Sequence, residues 1–214
     1  MLISQLNILE SANIMKTIKI WNDAPSDRQL QEIARDLRAG QTMIWPTDTM
    51  YALACDALNP KAIDAICRLK GINPEKQTLS IVCADIAEAA KYGRLDNDIF
   101  MMLRRNTPGP FTFICRSAST LPRAFKGRKS VGIRIPACET DLAIVRELGN
   151  PILTTSVEAP DDDYMSEPSL LLDIYDGRVD ILLDAGRRPA VLSTVVDCTG
   201  PEIEITRQGE GELA

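Results

Sequence analysis

The sequence predicts a single α/β domain built on a mixed, twisted sheet. Apolar patterns typical of helices alternate with short apolar runs typical of strands along most of the 214 residues. This length suits one sizeable domain, and no Gly/Ser linker, repeat or low-complexity tract divides the chain. With 45% apolar and 25% charged residues, the composition is that of an ordinary globular protein.

The domain is expected to begin at Met15, because the strand-like run Thr17–Trp21 follows it directly. Residues 1–14 are interpreted as an N-terminal extension of doubtful relevance, and residues 15–214 as the domain. The first residues lack the basic and apolar stretches of a signal peptide. No apolar run approaches the roughly 18 residues that a membrane-spanning helix needs. The expected location is cytoplasmic.

Helix signals are clear near the start of the domain. Ser26 or Asp27 is placed to cap a first helix, and Gly40 ends it. Its apolar residues recur at helical spacing, at Leu30, Ile33, Ala34 and Leu37. Asn59 and Pro60 form the cap and first position of a second helix, which ends near Lys70.

The rest of the chain continues the alternation. Short helices are predicted after Asp85 and Asp96, and a longer one over 141–148. The acidic stretch 158–168 is predicted to be a surface loop. Strands are predicted at 42–45, 51–55, 78–83, 111–115, 131–135, 152–155, 181–183, 194–196 and 203–205.

Two features of composition restrict the chemistry. The chain has no histidine, which excludes Ser-His-Asp and Cys-His machinery and imidazole metal sites. Catalysis would have to use carboxylates, Lys or Arg, hydroxyls, backbone N–H groups or a ligand-borne Mg²⁺. The six cysteines form no C-x-x-C pair and are interpreted as buried thiols, with a metal site or disulfides as the alternative.

The charge is unevenly distributed. The net charge is −6, yet residues 99–138 contain no acidic residue and eight basic ones, so the rest of the chain carries −14. Such a basic segment favours a surface that attracts phosphate, although a solvated face without a partner would look the same. The basic residues proposed to contact nucleic acid are Arg104, Arg105, Arg116, Arg123, Lys126, Arg128 and Lys129.

Polar side chains follow or interrupt several predicted strands, where ligands of α/β proteins commonly bind. Arg134 stands between isoleucines, so its side chain should point to the opposite face of the strand. It should line a cleft there, or extend to solvent if the strand is at an edge of the sheet. Lys70, at a helix C-terminus, either contacts phosphate or complements the helix dipole. Thr and Asp are also ordinary turn formers. The remaining candidates for ligand binding are Thr47, Asp48, Thr49, Tyr51, Thr112, Thr155, Ser156, Ser193, Thr194 and Arg207.

Six ordered motifs resemble those of the YrdC/YciO family, whose better-known members are threonylcarbamoyl-AMP synthases. They are P-T-D-T-x-Y at 46–51, P-G-P-x-T at 108–112, V-G-I-R-I-P at 131–136, T-S at 155–156, S-T-V-V-D at 193–197 and R-x-G at 207–209. The resemblance implies an open, twisted mixed sheet with flanking helices and a large basic concave cleft. It also implies synthesis of threonylcarbamoyl-AMP from L-threonine, bicarbonate and ATP carrying Mg²⁺, for tRNA modification.

Two positions depart from the synthase pattern and are closer to the YciO-like branch. The synthases carry K-x-R, whereas Lys70 is followed two residues later by Ile72. The synthases also carry S-x-N, whereas Ser156 is followed by Glu158. Loss of an Arg fork and gain of a carboxylate near nucleotide phosphates predict altered or weakened activity.

Two functions are therefore expected as the main alternatives, and a structural role with an empty cleft is the third. In the first, Lys70 and Arg134 act catalytically in a synthase-like enzyme, with ATP and L-threonine or a related small molecule as ligands. In the second, the basic cleft binds double-stranded RNA or tRNA without chemistry, because duplex RNA is recognised largely through phosphates and 2′-hydroxyls. Lys70, Arg134 and Arg207 are expected to meet in one cleft with Thr47, Ser156 and Ser193. The segment 99–138 is expected to form one wall, and the acidic residues 158–184 to face elsewhere.

Overall fold

The fold is a large mixed sheet with helices on both faces. The computed structural model describes residues 14–73, 79–119, 125 and 128–214. The strands are β1 Lys16–Lys19, β2 Thr42–Trp45, β3 Ala52–Asp56, β4 Ser80–Val82, β5 Phe111–Arg116, β6 Ser130–Arg134, β7 Ile152–Ser156, β8 Ile181–Asp184, β9 Thr194–Asp197 and β10 Glu204–Arg207. The helices are α1 Asp27–Arg38, α2 Pro60–Leu69, α3 Ile86–Tyr92, α4 Asn97–Asn106, α5 Glu139–Leu148, α6 Asp162–Ser166 and α7 Pro168–Tyr175.

The strand order across the sheet is β1-β8-β2-β3-β7-β4-β6-β5-β9-β10. Four neighbouring pairs are parallel, namely β1/β8, β2/β8, β4/β6 and β5/β9. The other five pairs are antiparallel. This arrangement confirms the predicted single α/β domain with a mixed sheet.

The helix signals read from the sequence coincide with the observed ends. The Ser26 side chain accepts from the Gln29 backbone N–H, and the Gln29 side chain returns to the Ser26 backbone in a capping box. Asn59 caps α2 through its side-chain oxygen, with Pro60 at the first position. These local contacts satisfy the N–H groups that a helix leaves unpaired at its start. They explain why the predicted boundaries agree within one or two residues.

The prediction of a surface loop over 158–168 is wrong. The Asp161 side chain accepts from the Tyr164 backbone N–H and starts α6, and Pro168 begins α7. Leu171 and Tyr175 bury the inner face of α7. The concentration of acids suggested a loop, but aspartates before a helix are also good caps, and burial of the apolar residues stabilises the helical conformation.

The two faces of the sheet differ in a way that places the site. On one face, α1 and α5 cover an apolar core that includes Leu37, Val82 and Ile152. Side chains two residues apart in a strand share a face. The face that holds Val82 and Ile152 therefore continues to Ser80 and Thr154, which line an open pocket. The opposite face packs against α2, α3, α4 and α7 in a continuous apolar core.

All six cysteines are buried free thiols, as interpreted from their apolar neighbours. Within the described residues, no helix has the length and apolar character required to cross a membrane. The structure describes Ile14 onward, and residues 1–13 of the proposed extension lie outside the described residues. Met15 is buried, and its backbone N–H donates to Asp176 Oδ1 at 2.7 Å.

Candidate functional site

A pocket of about 470 Å³ opens on the uncovered part of the sheet. Strands β3 to β7, β9 and β10 contribute to it, together with the segments after β2, α2 and β7. Its lining combines three cationic side chains, one carboxylate, eight hydroxyls and an apolar portion. The lining residues are Thr47, Thr49, Met50, Ala52, Lys70, Ile72, Leu79, Ser80, Thr112, Ile114, Arg134, Thr154, Thr155, Ser156, Glu158, Val191, Leu192, Ser193, Val195 and Arg207.

Lys70 occupies the C-cap of α2 and extends into this pocket. Its ammonium donates to the Ser156 carbonyl at 3.0 Å and forms a 2.7 Å ion pair with Glu158 Oε1. The Lys70 side chain is only 9% exposed, so its charge is fixed in place by these partners. The pocket also includes Ile72, so the two residues that depart from the synthase pattern both lie at the site.

Arg134 at the end of β6 is paired with a carboxylate. Its Nη2 contacts Asp48 Oδ1 at 2.7 Å, and both side chains are almost completely buried. Asp48 Oδ2 accepts from the Ala137 backbone N–H at 2.9 Å. Ile133 and Ile135 belong to the core on the other face, which confirms the alternation inferred from the sequence. Asp48 is therefore an anchor for Arg134 and does not itself line the pocket.

Arg207 enters the pocket from the edge strand β10. Its guanidinium donates to the Ser193 carbonyl at 2.9 Å and to Ser193 Oγ at 3.1 Å. Ser193 Oγ lies 2.9 Å from Thr112 Oγ1, so Arg207 is joined to a pair of hydroxyls. Burial, together with the nearby charge of Arg134, lowers the pKa of Arg207.

The R-x-G motif has a steric explanation. A Cβ atom on Gly209 would lie 2.2 Å from the Leu192 carbonyl oxygen. The Gly209 backbone N–H donates to Thr194 Oγ1 at 3.0 Å. The chain after β10 thus passes against the segment before β9 so closely that only glycine fits, and this contact positions Arg207 beside Ser193.

The turn after β2 combines structural and site roles. Thr47 Oγ1 accepts from the backbone N–H groups of Thr49 and Met50, at 3.1 and 3.2 Å, and donates to the Met50 carbonyl at 2.7 Å. These bonds are ordinary turn chemistry. Thr49 Oγ1 also accepts from Arg134 at 3.3 Å, so the turn supports the guanidinium in the pocket.

Besides Asp48, two candidate residues do not reach the pocket. The Tyr51 hydroxyl donates to the Gly186 carbonyl at 2.8 Å and accepts from the Ala185 N–H at 3.1 Å. Burial raises the pKa of Tyr51 to about 12. Thr194 Oγ1 donates to the Gly211 carbonyl at 2.7 Å. Both residues serve loop and chain-end structure in this fold, whereas Thr112, Thr155, Ser156 and Ser193 line the pocket as expected.

The basic segment contributes less to the pocket than expected. Of residues 99–138, only Thr112, Ile114 and Arg134 are among the described lining residues. Arg104, Arg105, Arg116 and Lys129 are exposed outside it. Arg128 is half-buried over the Phe125 ring. Arg123 and Lys126 lie outside the described residues.

The expectation that every acid between 158 and 184 faces elsewhere is wrong for Glu158, which lines the pocket. Glu158 follows the end of β7 closely and forms an ion pair with Lys70, which lies 88 positions earlier in the chain. The sequence of residues 158–184 alone does not show this contact.

Sequence reasoning also missed lining residues. Ser80 could have been found, because it interrupts an apolar strand on the same face as Val82. Gly132 pairs with Ser80, and a Cβ at Gly132 would lie 2.4 Å from Ser80 Oγ, so the glycine gives that hydroxyl its space. Leu192 carries no signal of this kind, because it lies in a loop and is brought to the pocket by tertiary packing.

A buried carboxyl lies near the Arg134–Asp48 pair. Asp141 in α5 is fully buried, beside the Cys138 thiol. Burial raises the pKa of the Asp141 carboxyl well above its usual range; the nearby charge of Asp48 adds to this effect and Arg134 opposes it.

The geometry defines a class of site in physical terms. Arg134 and Lys70 each have a carboxylate partner, whereas Arg207 has no carboxylate within ion-pair distance in the part of the chain that the structure describes. The pocket is therefore modestly cationic, rich in hydroxyls and apolar on one side. Such a site suits a small anionic ligand with an apolar portion.

Comparison with known proteins identifies the family of this chain. The family model Sua5/YciO/YrdC, described as telomere recombination, matches residues 35–209. Escherichia coli YciO, an uncharacterized protein, is 30% identical over 197 residues, covering 91% of this chain and 95% of YciO. The Bacillus subtilis threonylcarbamoyl-AMP synthase is 29% identical over 188 residues, covering 86% of this chain and 54% of the synthase.

Solved structures give the same relationship. The crystal structure of Escherichia coli YciO aligns with a TM-score of 0.86 at 29% identity, covering 93% of this chain and 98% of that one. Pyrococcus abyssi Sua5, solved in complex with L-threonine, aligns with a TM-score of 0.78 at 24% identity, covering 90% of this chain and 57% of that one, and shows the shared fold. The chain belongs to the Sua5/YciO/YrdC family, and it is related to the threonylcarbamoyl-AMP synthases.

Proposed function

We propose that this protein is a threonylcarbamoyl-AMP synthase-like enzyme of weakened activity, which binds the phosphates of ATP in the pocket described above. The observation that carries the proposal is the convergence of Lys70, Arg134 and Arg207 on one pocket lined with hydroxyls. These cations come from α2, β6 and β10, far apart in sequence. Cationic groups fixed in advance are what phosphoryl and adenylyl transfer requires of a protein.

The proposed reaction needs no histidine. The amine of L-threonine combines with bicarbonate to give a carbamate and water, and a carbamate oxygen then attacks the α-phosphorus of ATP and releases pyrophosphate. The protein must orient these groups and stabilise negative charge on phosphate. Lys70 and Arg207 are suited to hold phosphate oxygens, and the Thr112–Ser193 hydroxyl pair is suited to donate hydrogen bonds beside them.

Magnesium fits this site as part of the nucleotide. Among the described residues, no group of three or more His, Cys, Asp or Glu side chains is arranged to hold a metal ion. Mg²⁺ typically binds proteins through one or two carboxylates together with substrate phosphates. It would add to the positive charge that Lys70 and Arg207 present to the phosphates.

Weakened activity is proposed from the two departures at the pocket. Ile72 offers no hydrogen-bond donor where the synthases have an arginine, and Glu158 presents a carboxylate where they have an asparagine. One lost charge-assisted contact costs about 1.5–3 kcal/mol, which is about a ten- to hundredfold loss in rate. The ion pair between Glu158 and Lys70 also occupies a cation that phosphate would otherwise contact.

The test is pyrophosphate release from ATP in the presence of L-threonine and bicarbonate. Unaltered protein should give slow, threonine-dependent release, and Ile72→Arg combined with Glu158→Asn should raise the rate about tenfold or more. Adding Lys70→Met to that pair should abolish the gain. Asp163→Asn, which removes an exposed charge outside the pocket, is the matched control and should change nothing. Absence of threonine-dependent release from both the unaltered protein and the double variant would refute synthase chemistry.

RNA binding remains a second candidate on one observation. Arg104 and Arg105 are exposed together in the last turn of α4, outside the pocket. Duplex RNA would be held there mainly through its phosphates, so its affinity should fall steeply with salt. Reversing both charges (Arg104→Glu with Arg105→Glu) should weaken duplex binding while threonine-dependent pyrophosphate release persists. Unchanged duplex affinity in that variant would reject this surface.

A further inference from the structure

The two carboxylates that neutralise pocket cations are held very differently. The Asp48 side chain is 7% exposed and is fixed by Arg134 and the Ala137 N–H. The Glu158 side chain is 67% exposed, and in the described part of the chain Lys70 is the cation with which it pairs. One counter-ion is therefore built into the fold, and the other lies at the mouth of the pocket in contact with water.

The backbone of Glu158 is held while its side chain is exposed. The Glu158 N–H donates to the Tyr175 hydroxyl at 2.8 Å, and that hydroxyl donates to the Glu158 carbonyl at 2.9 Å. A change of side-chain rotamer can therefore remove the carboxylate from Lys70 without moving the chain. Rotamer changes of exposed side chains take picoseconds to nanoseconds, so the exchange would not limit binding.

Lys70 cannot leave its position as readily. Its side chain is 9% exposed, and its ammonium also donates to the Ser156 carbonyl at 3.0 Å. The ammonium has a third N–H, but an anion that used it would lie beside the Glu158 carboxylate, and like charges repel. An anion that enters the pocket is therefore favoured to take the place of Glu158 on this fixed ammonium. Because the Glu158 carboxylate is tethered to the chain, it competes for Lys70 at an effective concentration of about millimolar or more. An anion that binds Lys70 only weakly therefore does not displace it.

We propose that Glu158 is an exchangeable counter-ion of Lys70, which turns outward when a phosphate group of the ligand replaces it. This inference rests on the proposed function of the pocket and deepens it by assigning the Lys70 subsite to phosphate. A phosphate group carries more charge and more acceptor oxygens than a carboxylate. It therefore displaces Glu158, whereas a ligand carboxylate offers Lys70 no more than Glu158 already supplies. Glu158 is on this account a specificity-determining residue.

The test is calorimetric titration with inorganic pyrophosphate at low ionic strength. Glu158→Gln keeps the shape of the side chain and removes its charge, so the fraction of protein with a free Lys70 rises and the apparent affinity rises with it. A partly exposed ion pair of this kind predicts about a two- to fivefold tighter Kd. Asp163→Asn is the matched control, because it removes the carboxylate of another exposed ion pair, with Arg187, outside the pocket. Its Kd should equal that of the unaltered protein.

Two further measurements distinguish the replacement of Glu158 by phosphate from the simple loss of one negative charge near the pocket. Unaltered protein replaces one ion pair by another, so its pyrophosphate affinity should depend on salt less steeply than that of Glu158→Gln. Acetate in large excess should compete with pyrophosphate in Glu158→Gln and not in the unaltered protein. Thermal unfolding of each variant checks that it is folded.

The outcomes distinguish this inference from the proposed function. If Lys70→Met abolishes pyrophosphate binding while Glu158→Gln leaves the affinity and salt dependence unchanged, the exchange is refuted and the phosphate site stands. If Glu158→Gln weakens binding, Glu158 assists the ligand and the exchange is likewise refuted. If folded Lys70→Met and Lys70→Gln both bind as tightly as unaltered protein, Lys70 is no phosphate contact, and the proposed function fails with the inference.

Discussion

Removing either member of the Arg134–Asp48 pair should destabilise the protein severely. The two side chains are 10% and 7% exposed, so each single substitution leaves a charge in a site that water scarcely reaches. Breaking a buried pair in this way costs about 3–5 kcal/mol, whereas an exposed pair is worth about 0–1 kcal/mol. For a domain of this length, 3 kcal/mol corresponds to a fall in Tm of about 6–12 °C.

The assay is a double-mutant cycle in urea with Arg134→Met, Asp48→Asn and both together. The double variant leaves no unpaired charge. In the unaltered protein Asp48 Oδ2 accepts a hydrogen bond from the Ala137 N–H, and the amide oxygen of Asp48→Asn can accept the same bond. It should therefore be about 2 kcal/mol more stable than the sum of the single effects predicts. The exposed Arg146–Glu139 pair is the control and should couple by less than about 1 kcal/mol. Additivity of the Arg134 and Asp48 effects within about 0.5 kcal/mol would refute the view that Asp48 anchors Arg134.

Three other substitutions test particular assignments. Tyr51→Phe removes a hydroxyl that is hydrogen-bonded to Gly186 and Ala185. The free energy of unfolding in urea should fall by about 1–3 kcal/mol, and the affinity for pyrophosphate should not change. A loss of affinity would show that Tyr51 belongs to the binding site. Gly209→Ala brings a Cβ within 2.2 Å of the Leu192 carbonyl and should weaken pyrophosphate binding through displacement of Arg207. Gly200→Ala is the control, because its added Cβ meets only ordinary contacts, the nearest at 3.4 Å. Equal affinities in both variants would contradict the positioning role of Gly209. Burial raises the folded-state pKa of Asp141, so above the unfolded pKa of about 3.9 unfolding releases its proton and stability falls as the pH rises. Asp141→Asn has no such proton, so its stability relative to the unaltered protein should increase as the pH is raised from about 4. A difference that stays constant with pH would show that Asp141 is ionised in the fold.

Much of the fold could be predicted because its local signals are strong. The caps at Ser26 and Asn59 and the apolar alternation around Arg134 act within a few residues, so the sequence displays them directly. Helices α6 and α7 were missed because the acids before them are equally typical of loops, and burial of Leu171 and Tyr175 decides the outcome.

The site was predictable where a polar residue interrupts an apolar strand and unpredictable where a distant contact sets its role. Arg134 is of the first kind, and Ser193 comes just before strand β9; both reach the pocket as expected. Glu158 belongs to the second, because its meaning depends on Lys70 at the end of another helix. Tyr51 and Thr194 belong to motifs that the sequence shows, yet their hydroxyls donate to the carbonyls of Gly186 and Gly211. These carbonyls lie far away in sequence or in a loop, and they approach the hydroxyls only in the folded chain.

The basic segment shows how a charge pattern can point to the wrong surface. Its eight cations suggested one wall of a basic cleft. In the fold, Arg134 reaches the pocket and is neutralised by Asp48, while Arg104 and Arg105 face solvent on α4. A run of charge in sequence is distributed over several surfaces when it spans a helix, a loop and two strands.

The proposed function requires the pocket to bind nucleotide phosphate through Lys70 and Arg207. A crystal structure of the protein grown with ATP, Mg²⁺ and L-threonine tests it most directly. We expect phosphate oxygens within hydrogen-bond distance of the Lys70 ammonium and the Arg207 guanidinium, with the Glu158 carboxylate turned away from Lys70. A triphosphate bound instead at Arg104 and Arg105, or a pocket that stays empty at saturating nucleotide with the Lys70–Glu158 ion pair intact, would contradict the account.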